Sequence, residues 1–198
     1  MEFYRRPRTR PGRLGVLAGG FNPPTVAHVA LAAASRAHVD ELLYVVPRAF
    51  PHKDYFGATL EQRIEMLGSL ELAIPRSIAT TEKGLLIDIA RECQAEFGAD
   101  TRLSFLCGRD AAERVLTWDY GRAGVVREML NEFELLVASR SGEFVPPPEF
   151  HHRIHSLVMP GGHDQVSSTE VRERITRGEP WEHLVPESIV ESVREIYS

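Results

Sequence analysis

Two short segments carry most of the residues whose types and spacing could do chemistry. The first is Gly19-Gly20-Phe21-Asn22-Pro23-Pro24, a dense turn signal, followed by Thr25-Val26-Ala27-His28 and a helical pattern. Glycines let backbone N–H groups approach a phosphate, and a helix start adds unpaired N–H groups and a positive dipole end. Thr25 and His28 stand three apart and share a face beside that anion position. The turn lacks the third glycine of a dinucleotide fingerprint. Taken alone it fits equally well a helix capped by Thr25 with His28 on the surface. The second segment is Ser167-Ser168-Thr169-Glu170-Val171-Arg172. Ser167 with Glu170 has capping-box spacing, and three hydroxyls with Arg172 one turn in make a second helix start suited to phosphate. The planar fork of Arg172 can engage two phosphate oxygens at once.

The elements around these segments are legible from hydrophobic pattern. Residues 13–18 read as a buried strand, 25–37 as a helix, 41–46 as a strand, 59–73 as a helix and 76–80 as a short strand. Helix follows over 85–97, strand over 102–107 ending at Gly108, helix over 109–116 and 122–131, and strand over 133–138. A Pro-rich loop (142–149), a strand (154–159), a helix (168–177) and a last helix from Pro186 complete the chain. The alternation predicts a Rossmann-like, doubly wound α/β fold, with a mostly parallel sheet and helices on both faces. In such sheets ligands bind beyond the carboxyl ends of the strands. Residues 13–198 are read as one domain, and the Arg-rich stretch 1–12 as a flexible tail.

Composition narrows the function classes. The chain has 198 residues and a net charge of −5, which argues against general nucleic-acid binding, since a duplex partner demands a basic face. No apolar run reaches the ~18–20 residues of a membrane helix, and the first residues lack a signal-peptide core, so a cytoplasmic protein is expected. Cys93 and Cys107 are far apart in apolar settings and read as core residues. His151, His152 and His155 invite a metal site, but they lie in a loop leading into a strand with no grouped carboxylate, and no metal site is expected. His163 and Asp164 precede the Ser-Ser-Thr segment and could line the phosphate site. Of the 23 cations all but Lys53 and Lys83 are Arg.

Gly-Gly-Phe-Asn-Pro-Pro-Thr-x-x-His together with Ser-Ser-Thr-x-x-Arg resembles the nucleotidyltransferase superfamily with His-x-Gly-His or Thr-x-x-His elements. Within it, the chain from Leu14 to Tyr197 looks most like the nicotinate or nicotinamide mononucleotide adenylyltransferases. The matching segments include Pro51-His52-Lys53, Gln62-Arg63-Ile64-Glu65-Met66-Leu67, Gly108-x-Asp110 with Trp118 eight positions later, and Val185-Pro186. The resemblance implies AMP transfer from ATP to the 5′-phosphate of a pyridine mononucleotide, with release of pyrophosphate. It assigns His28, Thr25, Arg172 and Lys53 to catalysis. Gly19, Gly20, Phe21, Asn22, Gly108, Asp110, Ser167, Ser168 and Thr169 would bind ATP. Trp118, Lys53, Leu85 and Leu86 would bind the acceptor, and Mg²⁺ would be held by the phosphates.

The chain departs from the family pattern at Gly84-Leu85-Leu86-Ile87-Asp88, where bacterial members usually carry a Ser-Tyr-Thr run before the Asp. Arg109 also stands where a small residue is common. Acid and amide acceptors stay open at this point, as do another phosphomonoester acceptor such as phosphopantetheine, CTP as donor, a non-catalytic ATP-binding homologue, and homo-oligomerisation.

Overall fold

The computed structural model describes residues 1–6, 10–48, 57–138, 144–159, 163 and 166–197. Its strands are Glu2–Arg5 (β1), Arg13–Ala18 (β2), Glu41–Pro47 (β3), Arg76–Thr81 (β4), Arg102–Gly108 (β5), Glu134–Ala138 (β6) and Ile154–Leu157 (β7). Its helices are Val26–Ser35 (α1), Leu60–Ser69 (α2), Leu86–Phe97 (α3), Arg109–Thr117 (α4), Val125–Glu132 (α5), Ser168–Arg177 (α6) and Val190–Tyr197 (α7). They build one sheet in the order β1-β4-β3-β2-β5-β6-β7. Strands β2 to β7 pair in parallel, and β1 runs antiparallel on the β4 edge. The chain moves outward from β2 through β3 and β4, then returns to the other side of β2 with β5. The order therefore reverses between β2 and β5, which opens a crevice at their carboxyl ends. The doubly wound fold expected from the sequence is the fold observed.

Burial on both faces explains the near-continuous apolar strands. In β3, Leu42, Tyr44 and Val46 enter one core with Leu31 of α1, Met66 and Leu67 of α2, Val171 of α6 and Val193 of α7. Leu43 and Val45 enter the other, with Ile89 and Cys93 of α3, Ala112 of α4 and Met129 of α5. Helix α2 starts on a capping box, in which Thr59 N–H donates to Gln62 Oε1 (2.8 Å) and Gln62 N–H to Thr59 Oγ1 (3.2 Å). It ends at Ser69 rather than 73. Leu70, on extended backbone, and Ile74 are both buried past the helix end, which continues the apolar spacing beyond the helix.

The flexible-tail reading of residues 1–12 is corrected for Glu2–Arg5, which form β1 on β4. The Phe3 ring packs edge-on against Phe97 at 5.8 Å, and the Arg6 guanidinium lies over both rings at 4.5 and 4.7 Å. Arg6 also pairs with Glu96 at 2.7 Å. An Arg and Pro-rich composition hid an arginine, Arg6, with an aromatic face to cover. Pro7, Arg8 and Thr9 lie outside the described residues. Among those described, no helix is long and apolar enough to cross a membrane.

Candidate active site

The crevice between β2 and β5 has a volume of about 260 Å³. Its walls come from Ala18 at the end of β2, Cys107 and Gly108 at the end of β5, Ala27 and His28 of α1, and Ser167 and Ser168 at the start of α6. Both sequence motifs thus line one space. A wider opening of about 640 Å³ lies at the other end of α6, beside Ile175, Trp181 and Tyr197, and none of those motif residues lines it.

The Gly-rich turn is shaped by where its polar groups go. Gly19 N–H is taken by Val45 O at 3.0 Å, which fixes the turn to β3. Phe21 has a left-handed backbone (φ 48°), an uncommon conformation for a bulky residue that marks functional turns. Its buried ring meets Tyr44 edge-on at 5.4 Å and the His28 imidazole at 5.1 Å. A methyl group on Gly20 would meet nothing within 4 Å, so the folded chain alone does not demand a glycine there.

Three successive features hold the turn's carbonyls from behind. Arg63 Nη1 of α2, 4% exposed, donates to Gly20 O at 3.2 Å. Arg172 Nη1 of α6 donates to Asn22 O at 2.5 Å, and Ser168 Oγ donates to Pro23 O at 2.7 Å. The Asn22–Pro23 bond is cis. Arg172 also reaches Ser168 O (3.2 Å) and Thr169 Oγ1 (3.4 Å), while Ser167 Oγ caps α6 by accepting from Glu170 N–H at 3.1 Å. In a trans peptide the N–H points opposite the carbonyl, so holding Gly20 O aims Phe21 N–H away from Arg63.

Thr25 is fully buried and serves His28 directly. Its backbone N–H donates to His28 Nδ1 at 2.9 Å, and its hydroxyl lies 2.8 Å from the same nitrogen. A backbone N–H can only donate, so Nδ1 accepts and the neutral ring carries its proton on Nε2. Burial lowers the His28 pKa to about 4, which keeps the ring neutral. The half-buried imidazole lines the crevice as a neutral, single-tautomer hydrogen-bond donor. Helix α1 has no acidic residue in its first turn to compete with an anion.

Other expected residues fall in different places. Gly108 caps α4 and lines the crevice, with Asp110 exposed in the first turn of that helix. Trp118 ends α4 and is 46% exposed. Leu85 precedes α3 and is also 46% exposed, whereas Leu86 and Ile87 pack against the core. The 84–88 segment is therefore a helix start that turns only Leu85 outward. Asn22 Oδ1 accepts from Ala58 N–H at 3.1 Å and from the Tyr197 hydroxyl. Cys93 is a core residue as expected. Cys107 packs against the core as well and also lines the crevice, and burial pushes its thiol up to about 12 and keeps it protonated. His155 Nε2 lies 3.5 Å from Glu134 Oε2, a carboxylate distant in sequence. Lys53, His52 and Asp164 lie outside the described residues.

A family model described as cytidylyltransferase-like matches residues 16–174. The chain belongs to that family. In this cytidylyltransferase-like chain the match runs from β2 into α6, so it takes in both crevice motifs and leaves α7 outside. A "Probable nicotinate-nucleotide adenylyltransferase" of Moorella thermoacetica is 31% identical over 94% of this chain and 91% of its own. One of the same description from Methylibium petroleiphilum is 31% identical over 89% and 85%. The solved Plasmodium falciparum nicotinic acid mononucleotide adenylyltransferase complexed with NaAD shares the fold, with a TM-score of 0.70 at 16% identity, covering 92% of this chain and 95% of that one.

Arg63, inside a segment that matches the family, and Tyr197, at the end of the resemblance, were given no role by the motif reading. Arg63 carried one signal, a cation among the apolar residues Ile64, Met66 and Leu67 on a helix. Tyr197 carried none.

Proposed function

We propose that the chain is a nicotinate-nucleotide adenylyltransferase. The 5′-phosphate of nicotinate mononucleotide attacks the α-phosphorus of ATP, the bond to the bridging oxygen breaks, and deamido-NAD and pyrophosphate form. The nucleophile is already anionic at neutral pH, so no general base is needed. Catalysis then consists of aligning two polyanions and stabilising charge at the α-phosphorus.

The observation that carries this reading is the pinning of the α6 N-terminus to the turn that leads into α1, Arg172 to Asn22 O and Ser168 to Pro23 O, beside a neutral His28. Two positive helix ends at a strand switch point suit a substrate with several phosphates. His28 Nε2–H donates to an α-phosphate oxygen. Thr25 fixes the tautomer that makes this possible. Gly20, Phe21 and Asn22 lie against the triphosphate, the role of Gly19 being to anchor the turn. The α6 start with Ser167, Ser168 and Thr169 binds phosphate oxygens. Arg172 adds its charge while Nη1 holds the turn, and Lys53 neutralises phosphate from the preceding loop.

Gly108 and Asp110 face the ribose, and Trp118 stacks on the electron-poor pyridine ring with Leu85 at its rim. Leu86 supports that rim from the core. The nicotinate form is favoured by the names of the relatives. Among the described residues no group of three His, Cys, Asp or Glu side chains could cage a metal. The hydroxyls and N–H groups at the crevice suit phosphate, so Mg²⁺ would arrive on ATP, where it neutralises the leaving pyrophosphate. The reading is tested by mass spectrometry of products from ATP or CTP with nicotinate mononucleotide, nicotinamide mononucleotide and phosphopantetheine. Deamido-NAD as the main product is expected; ATP binding without product from any pairing rejects it.

A further inference from the structure

We propose that Tyr197 is a positioning residue for the transfer site, acting through Asn22 on the Gly-rich turn and the segment that enters α2. The kinetic part of this inference rests on the adenylyltransferase reading; the structural part does not.

One side-chain oxygen joins three parts of the chain. Asn22 Oδ1 accepts from Ala58 N–H at 3.1 Å, just before α2, and from the Tyr197 hydroxyl at the end of α7. The carbonyl of the same residue accepts from Arg172. Asn22 is therefore held on both of its oxygens, and rotation of the Asn22–Pro23 peptide would break the bond to Arg172. Close approach at this node is built into the backbone. Gly57 has φ +102°, and a methyl group there would lie 2.7 Å from Tyr197 Cε1 and 3.1 Å from Asn22 Oδ1. Only glycine lets the chain pass so near the ring. Burial pushes the Tyr197 hydroxyl up to about 12, so it stays a neutral donor throughout the working range.

Tyr197 lies outside the crevice lining and touches no expected substrate position. Its hydroxyl acts on Asn22 and beside the Ala58 amide, the two ends of the bond that ties the Gly-rich turn to the start of α2. Loss of the hydroxyl loosens the turn rather than removing a substrate contact, which predicts a change in kcat more than in KM.

The test compares Tyr197→Phe, Asn22→Ala and the double variant in full-length protein. Tyr197→Phe is expected to lower kcat about ten-fold, with both KM values within about two-fold, because small misalignments act on the transition state. The double variant should be no slower than Asn22→Ala alone. Hydrogen exchange at the Ala58 amide should quicken in Tyr197→Phe. A parent-like kcat for Tyr197→Phe, multiplicative losses in the double variant, or unchanged Ala58 exchange would each overturn the proposal. If the parent itself shows no transfer, the functional reading fails separately, and Ala58 exchange alone decides the role of Tyr197.

Discussion

The Arg172 guanidinium donates at 2.5 Å to the carbonyl of Asn22, 150 positions away in the chain. With the Ser168 bond to Pro23, it places carbonyl dipoles between the starts of α1 and α6, two helix ends that each carry partial positive charge. The geometry for gathering phosphates thus exists before any substrate arrives.

Arg172→Ala removes that link and leaves Asn22 O without its charged donor. A hydrogen bond to a charged group contributes about 1.5–3 kcal/mol. For a chain of this size each kcal/mol shifts Tm by about 2–4 °C. Arg172→Lys keeps the charge but loses the fork whose Nη1 reaches Asn22 O and Ser168 O while Nη2 reaches Thr169 Oγ1, so its melting point should fall between those of the parent and Arg172→Ala. Both variants should lose roughly 100-fold in rate. Thermal melts and initial rates check this, and parent-like values for Arg172→Ala would remove the residue from the account.

His28 gives a pH signature. Its folded pKa of about 4 lies below its ordinary 6.5. Between these values the unfolded chain binds a proton that the folded chain refuses, so the His28 contribution is fully favourable above 6.5 and is lost as pH falls towards 4. His28→Asn keeps an acceptor for Thr25 N–H and removes the titration. Its melting curve should lack that part of the acid decline, while its rate should drop ~10²–10³-fold for loss of a preorganised donor. A kcat inflection near 6.5 in the parent that vanishes in His28→Asn would mean the ring acts as an ordinary titrating base.

Gly20→Ala separates folding from binding. The added methyl meets no atom of the folded chain, so the melting point should match the parent within about 2 °C. If ATP approaches the backbone here, its affinity should fall at least about ten-fold by calorimetry. Unchanged affinity would place the triphosphate elsewhere.

Local information carried most of the fold and the two phosphate motifs. Leu42 to Val46 announce a strand buried on both faces, and Ser167 announces its helix by capping it. What was hidden depends on contacts between distant positions. Arg6 looks like tail until Phe3 and Phe97 form a surface beneath it. Leu85 and Leu86 look alike until the helix start turns one outward and the other into the core. The Tyr197 bond to Asn22 spans 175 positions and leaves no spacing to find.

Trp118→Ala tests the acceptor face. At 46% exposure its truncation should leave stability nearly intact, and acceptor KM should rise about ten-fold from lost stacking. KM for ATP should not move. Equal losses for both substrates would assign Trp118 a structural role.

Which phosphorus of ATP is attacked can be read directly from isotope position. With nicotinate mononucleotide and Mg²⁺, ATP labelled on the α-phosphorus should give labelled deamido-NAD, and ATP labelled on the γ-phosphorus should give labelled pyrophosphate. Label from the α-position in free AMP, or from the γ-position in inorganic phosphate or a phosphorylated acceptor, would contradict adenylyl transfer.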